Sequence, residues 1–215
     1  MACGGGQIRT CCKNSEGPAY RPSGSGGHTL DHDGATQQSG ILRRPRARPP
    51  LRKPRDRRGT AHAGGLLADH RTTLELNCAG LDDELARRSA EPSTLSLPGL
   101  VRHMADVERR WFRKVLAGQD APPRFSSPDD PDGDFDGALA DDPAAVEEAW
   151  EVWRREVAFA ERFVAEAPHL DVEADDAWRG RVSLRWVLIH MVEEYARHNG
   201  HADLLRERID GAVGL

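Results

Sequence analysis

The stretch His190-Met-Val-Glu-Glu194-Tyr-Ala-Arg-His198-Asn-Gly-His201 decides the fold, because its spacing is that of a helix with a functional face. Read as a helix, it places His190, Glu194, His198 and His201 at i, i+4, i+8 and i+11. At about 100° per residue, these side chains fall within an arc of roughly 80°. Imidazoles and carboxylates are ligands that zinc and related metals prefer. The pattern therefore predicts a helix with a metal-binding face.

Helical periodicity extends from this stretch through the rest of the folded part and predicts four amphipathic helices. Ser96, Asp142 and Ser183 are the predicted N-cap residues, and Gly211 is the predicted residue after the last helix. Residues 168–182 form a connection in which we expect no strand. Four helices of this length indicate an all-α, antiparallel four-helix bundle. The predicted helices span about 65–80, 97–117, 143–167 and 184–210.

Charge divides the chain into two physically different parts. Residues 1–60 hold 12 of the 30 basic residues and 4 of the 35 acidic residues, which makes this part basic and the rest acidic. Its Gly/Ser and Arg/Pro segments cannot bury enough apolar surface to fold. We therefore expect a disordered basic extension over 1–62 and one folded domain over 63–215. The alternative is a nucleic-acid-binding arm, which Tyr20, as its only aromatic residue, does not favour.

Cysteine usage and hydropathy indicate a cytoplasmic protein. Cys3, Cys11, Cys12 and Cys78 form no C-x-x-C pair, so the sequence predicts neither a disulfide framework nor a cysteine-type zinc site. No apolar run approaches the roughly 20 residues that a membrane span needs. The N-terminus also lacks the apolar stretch of a secretory signal. We expect no membrane association.

The residues of the helix face leave more than one metal site open. Glu194 and His198 can chelate one ion from a single helix face, but a third ligand must be found. His103 is the first candidate, because it lies mid-helix beside apolar positions and completes a set known from catalytic zinc sites. His201 is its rival as third or fourth ligand, and His190 fits a supporting position. Otherwise His103 is an ordinary half-buried histidine and the face is solvated.

One acidic segment resembles the beginning of a calcium-binding loop. Asp132, Asp134 and Asp136 take positions 1, 3 and 5 of such a loop, and Gly137 takes position 6. Position 12 requires a glutamate, but Pro143 occupies it. We therefore expect an acidic, flexible connection here and no calcium site.

Two segments resemble the DinB-like superfamily. They read SLPGLVRHMADVERRWF at residues 96–112 and EYARHNGHADLLRE at residues 194–207. The resemblance covers about residues 65–215 and is nearest to a mostly uncharacterised actinobacterial subfamily. It implies a four-helix bundle in which His103, Glu194 and His198 hold a divalent metal, with zinc expected and nickel as the alternative. Many members have histidine where this chain has Glu194, and glutamate there is similar to the mycothiol-dependent maleylpyruvate isomerase branch.

This resemblance implies a thiol-dependent S-transferase or isomerase. Its partners would be a low-molecular-weight thiol such as mycothiol and a small electrophilic substrate. His201 and His190 are the expected catalytic groups, because either could move protons beside the metal. The alternative is a non-catalytic metal-containing bundle or stress-related binding module, with His201 as fourth ligand in a closed shell. Exposed tryptophans would favour a homodimer.

Overall fold

Four long helices dominate the computed structural model, which describes residues 59–139 and 143–214. Helix α1 (Gly59–Cys78) lies along α6 (Leu184–Asp210), while α3 (Leu97–Glu108) packs against α5 (Pro143–Glu166) and also contacts α6. This confirms the predicted four-helix bundle. The first 58 residues, most of the predicted extension, lie outside the described residues. The described residues also form two short helices, α2 (Asp83–Ala86) and α4 (Gly133–Asp136).

The two helices that carry the candidate ligands begin at the predicted caps. The Ser96 hydroxyl accepts a hydrogen bond from the Gly99 N–H at 3.3 Å, and the Ser183 hydroxyl accepts one from the Trp186 N–H at 3.2 Å. Each bond satisfies a backbone donor that the first helical turn would otherwise leave unpaired. Gly211 follows α6 with a φ of 72°, a left-handed conformation that glycine adopts without strain. The predicted cap Asp142 lies outside the described residues.

The core between the long helices is made of large apolar side chains. Burial of these side chains is the main favourable contribution to folding. A smaller apolar cluster, centred on Leu100 and Phe135, joins α3, α4 and α6. This second cluster holds the short helix α4 against α3 and α6. The main core includes Leu67, Leu74, Met104, Trp111, Phe112, Val152, Trp153, Val187, Leu188 and Met191.

A two-stranded hairpin replaces part of the predicted strand-free connection, so that prediction was wrong. Strand β1 (Glu173–Asp176) pairs antiparallel with β2 (Gly180–Ser183). The Asp176 carboxylate accepts the N–H groups of Trp178 and Arg179 and so closes the turn. Each strand holds a single apolar residue, Ala174 in β1 and Val182 in β2, so no alternating apolar pattern is visible in the sequence.

The helix after α3 changes its geometry without ending. Residues Arg109–Leu116 continue as π-helical turns, so the predicted extent to about Ala117 is right but its regular α geometry is not. The wider turns bury two adjacent pairs, Trp111 with Phe112 and Val115 with Leu116. A regular helix would turn one member of each pair further from the core.

Three large apolar side chains lie exposed on the surface of the bundle. The apolar periodicity of the sequence predicts that Leu66 on α1 and Leu204 on α6 face the core, but both are exposed. A tryptophan is most simply predicted to lie in the core or in a pocket wall, but Trp178 lies exposed in the hairpin turn. Among the described residues, no helix is both long and apolar enough to cross a bilayer.

Candidate metal centre

Three side chains that are distant in sequence converge between α3 and α6. His103 comes from α3, and Glu194 and His198 come from successive turns of α6. Each residue offers one ligand atom, and these atoms lie within 4.8 Å of one another. The three residues are only 2%, 4% and 4% exposed. No other group of three His, Cys, Asp or Glu side chains meets that criterion in the described part of the chain.

The imidazole of His103 is fixed at one nitrogen and has no protein partner at the other. Its Nδ1 lies 2.9 Å from Oδ2 of Asp134, and its Nε2 is buried without a hydrogen-bond partner. The ring of Phe135 stacks on it, with centroids 4.7 Å apart. Buried polar atoms are normally paired, so an unpartnered imidazole nitrogen needs an explanation. A metal ion would supply the missing partner.

Glu194 and His198 lie one helical turn apart, and burial sets the charge of the histidine. Nε2 of His198 is 3.6 Å from Oε2 of Glu194, and its ring centroid is 4.6 Å from that of His103. Burial lowers the pKa of His198 to about 4, which outweighs the opposing influence of Glu194. The imidazole is therefore neutral at pH 7, the protonation state that metal binding requires.

Together the three residues form a donor set that suits a divalent metal. Two imidazoles and one carboxylate occur in catalytic zinc sites, where a further coordination position stays open. The unpartnered Nε2 of His103 and the neutral state of His198 both fit such an ion. The pairing of His103 with Asp134 resembles the carboxylate support that metal-bound histidines usually have.

His201 lies next to this group and outside it. Its Nδ1 is 3.4 Å from Nδ1 of His198, and the two rings meet edge to face with centroids 5.3 Å apart. Burial lowers the pKa of His201, and the nearby positive charge of Arg197 lowers it further. The side chain therefore contacts a candidate ligand without joining the three converging atoms.

His190 borders the group on its other side, against an aromatic wall. Its Nε2 is 3.4 Å from Oε1 of Glu194, while its ring stacks on Trp186 with centroids 4.9 Å apart. Trp111 meets the same imidazole edge to face at 5.0 Å. Burial lowers the pKa of His190 and favours its neutral form. His190 and His201 thus lie on opposite sides of the three candidate ligands along α6.

Three arginines on α3 and its π-helical continuation, Arg102, Arg109 and Arg110, are engaged within the protein. Arg102 donates to the carbonyl of Gly133 at 3.0 Å, and Arg109 donates to the carbonyl of Pro122 at 2.7 Å. Arg110 pairs with Asp176 at 2.8 Å and lies over the ring of Trp111. These contacts favour structural roles for the three guanidinium groups over binding of an anionic substrate.

Comparison with known proteins shows the family of the chain. A family model described as mycothiol-S-transferase matches residues 64–211, a range that includes all three converging residues. The chain belongs to the mycothiol-S-transferase family. The family is DinB-like, so the resemblance seen in the sequence is confirmed. No curated protein matches the chain.

A solved structure supports the fold independently. It is described as a conserved protein from Enterococcus faecalis, and it matches with a TM-score of 0.51. The alignment covers 71% of this chain and 97% of that chain. Because the two sequences are only 16% identical, the likeness supports the shared fold alone.

For this member of the mycothiol-S-transferase family, the sequence left one important contact unassigned. Asp134 belongs to the acidic segment for which the sequence predicts a flexible connection, and the sequence does not predict its hydrogen bond to His103. The signal available in the sequence was an Asp-Phe pair among exposed acids, since Phe135 is the apolar residue of that segment. Its burial would have drawn Asp134 inward, but only the folded chain shows which histidine it reaches.

Proposed function

We propose that this protein is a metal-dependent transferase that joins a low-molecular-weight thiol to a small electrophilic substrate. His103, Glu194 and His198 are the proposed ligands of a divalent ion, with zinc expected and nickel as the alternative. The observation that carries the proposal is the buried, unpartnered Nε2 of His103 within the group of three ligand atoms. Membership of the mycothiol-S-transferase family supports mycothiol as the thiol.

The remaining groups of the site suit a reaction in which a proton must leave the thiol. A divalent ion, when bound, favours the thiolate form of a coordinated thiol. His201 and His190 are the proposed proton carriers, because each has a lowered pKa and lies beside the ligand group. A neutral imidazole accepts the thiol proton, and the sulfur then bonds to the electrophilic carbon while the carbon–oxygen bond of an epoxide, or the carbon–halogen bond of a haloaromatic compound, breaks. The imidazole passes its proton to the epoxide oxygen or, where the halogen leaves as halide, to water.

Burial at the site gives these groups a suitable setting. Trp111 is almost fully buried, and the rings of Trp111, Trp186 and the partly exposed His190 all contact one another. Such aromatic walls exclude water from one side of a site and strengthen electrostatic interactions there. These rings are therefore proposed to border the bound substrate on the His190 side of the three ligands.

Transfer activity measured against metal content tests this proposal. Purified protein should bind about one zinc ion per chain and transfer mycothiol to an electrophile such as an epoxide or haloaromatic compound. His103→Ala should lose both the metal and the transfer activity. His169→Ala is the matched control, because it removes an exposed imidazole elsewhere on the chain.

Two outcomes would contradict the proposal in different ways. Equal transfer rates for wild type and His103→Ala would show that the proposed ligands are not needed. Stoichiometric metal without transfer of any thiol would instead identify the non-catalytic metal-containing bundle. Cobalt substitution then decides whether His201 closes the shell, because a shift of the cobalt absorption in His201→Ala would show that it is a ligand.

The proposed cellular setting follows from the thiol chemistry. Cys78 is a free cysteine, and a thiol cofactor requires a reducing compartment, so the cytoplasm is the proposed location. Homodimer formation stays a prediction. So does the proposed disordered state of the basic extension, whose first 58 residues lie outside the described part of the chain.

A further inference from the structure

We propose that Asp134 is a positioning residue that fixes His103 in the tautomer whose Nε2 can bind a metal. The inference rests on the proposed function, because it concerns one of the three proposed ligands. Asp134 lies about thirty residues after His103 in the sequence, on the short helix α4 outside the four long helices of the bundle. Asp134 does not itself belong to the group of three ligand atoms.

The hydrogen-bond geometry determines where the imidazole proton lies. Oδ2 of Asp134 is 2.9 Å from Nδ1 of His103, and both side chains are almost fully buried. A carboxylate accepts hydrogen bonds and does not donate them, so the proton of a neutral ring must be on Nδ1. The lone pair is then on Nε2, the buried nitrogen that has no hydrogen-bond partner in the protein. This is the tautomer in which Nε2 can coordinate an ion.

The surrounding structure holds Asp134 in place from its own side. Its other oxygen, Oδ1, accepts the N–H of Phe135 at 3.1 Å, which restricts rotation of the carboxylate. Phe135 stacks on the His103 ring and is buried in the smaller apolar cluster. A Cβ at Gly133 would lie 2.6 Å from the carbonyl oxygen of Phe125, so this backbone packs too closely for a larger residue. The packing of the short helix α4 therefore holds the Asp134 carboxylate in one position.

Residues flanking His103 on α3 anchor the segment that carries Asp134. On one side, Arg102 donates to the carbonyl of Gly133 at 3.0 Å. On the other, the buried carboxylate of Asp106 accepts backbone N–H groups from Arg124 and Phe125 at 2.6 Å and 3.1 Å. The same stretch of α3 thus supplies His103 and the anchors of the segment that orients it. This arrangement is what a preorganised ligand requires.

Metal affinity in a matched pair of variants tests the inference. Asp134→Asn should weaken zinc binding by about 10- to 100-fold, because the amide can donate to Nδ1 and favour the wrong tautomer. Asp136→Asn removes an exposed carboxylate two residues away and should change affinity by less than about twofold. Zinc affinity is measured by chelator competition, and circular dichroism confirms that each variant is folded. Unchanged affinity in folded Asp134→Asn would overturn the inference.

The tautomer itself provides a second readout that needs neither metal nor activity. Long-range ¹H–¹⁵N spectra of the metal-free wild type should show His103 protonated at Nδ1 and bare at Nε2. Finding the proton on Nε2 would overturn the inference, and would do so even if Asp134→Asn failed to fold. If wild type bound no metal while His103 showed the expected tautomer, the proposed function would fail and the positioning role would stand.

Discussion

Burial of the His198 imidazole has two consequences. It keeps the ring neutral and able to bind a metal at neutral pH, and it lowers the stability of the metal-free fold in acid. In solvent the group would gain its proton near pH 6.5, but in the folded protein its pKa is about 4. Desolvation causes the difference, because the buried ring loses the water that stabilises its charged form. The same burial that keeps the lone pair available therefore makes the metal-free fold sensitive to acid.

Metal-free protein should lose stability as the pH falls from about 6.5 to about 4. Between these values the unfolded chain binds a proton at His198 and the folded chain does not, so protonation favours unfolding. The difference between the two pKa values corresponds to at most roughly 3 kcal/mol, fully present above pH 6.5. Urea unfolding in the presence of a chelator measures it. His198→Gln should flatten this dependence, and an unchanged slope would refute the assignment.

His201 should contribute to transfer without contributing much to metal affinity. It contacts His198 at 3.4 Å but lies outside the group of three ligand atoms. We expect His201→Ala to retain zinc affinity within a few-fold and to lower kcat by about 100-fold, as loss of a proton carrier does. Chelator competition and steady-state kinetics separate the two effects. A loss of zinc that accounts for the whole loss of rate would make His201 a ligand instead.

At the scale of helices, one buried network around a charged pair joins the four long helices of the bundle. Arg71 on α1 makes two 2.8 Å hydrogen bonds to Glu108 at the end of α3. Tyr195 on α6 donates to the same carboxylate and accepts from Trp153 on α5. Burial raises the pKa of Glu108, and the charge of Arg71 opposes that increase. The network fixes α6 one residue away from the candidate ligand Glu194.

Breaking this network should cost far more stability than breaking an ion pair at the surface. Arg71→Met leaves the buried Glu108 carboxylate without its cation, and we expect a loss of about 3–5 kcal/mol. Arg88→Met is the matched control, because Arg88 pairs with Glu84 in solvent and should cost about 0–1 kcal/mol. Urea unfolding measures both. Similar losses for the two variants would show that the buried pair adds no stability of its own.

At the scale of the whole molecule, the core and the candidate site belong to one continuous part of the chain. Both apolar clusters and the three proposed ligands lie between residue 63 and residue 209. We expect a chain that begins at Gly59, the first residue of α1, to fold and to bind zinc as the full chain does. Thermal unfolding and metal analysis of the two chains test this. Aggregation or loss of metal in the shorter chain would show that residues 1–58 are required.

Much of the bundle could be predicted because its signals are local. Ser96 and Ser183 could be identified as caps since each satisfies a donor three residues ahead. Apolar repeats likewise indicate which helix faces turn inward. The sequence does not predict the hairpin, because each short strand holds a single apolar residue. It also does not predict the exposure of Leu66 and Leu204, because periodicity does not say where a neighbouring helix ends.

The same difference between local signals and contacts between helices applies to the candidate site. The sequence by itself determined that Glu194 and His198 share a face, because both lie on one helix of known pitch. Only the tertiary structure decided that His103 meets them, that His201 lies outside the group, and that Asp134 holds the His103 ring. Helical spacing determines which side chains of one helix share a face. Contacts between helices depend instead on how side chains pack that are more than thirty residues apart in the sequence.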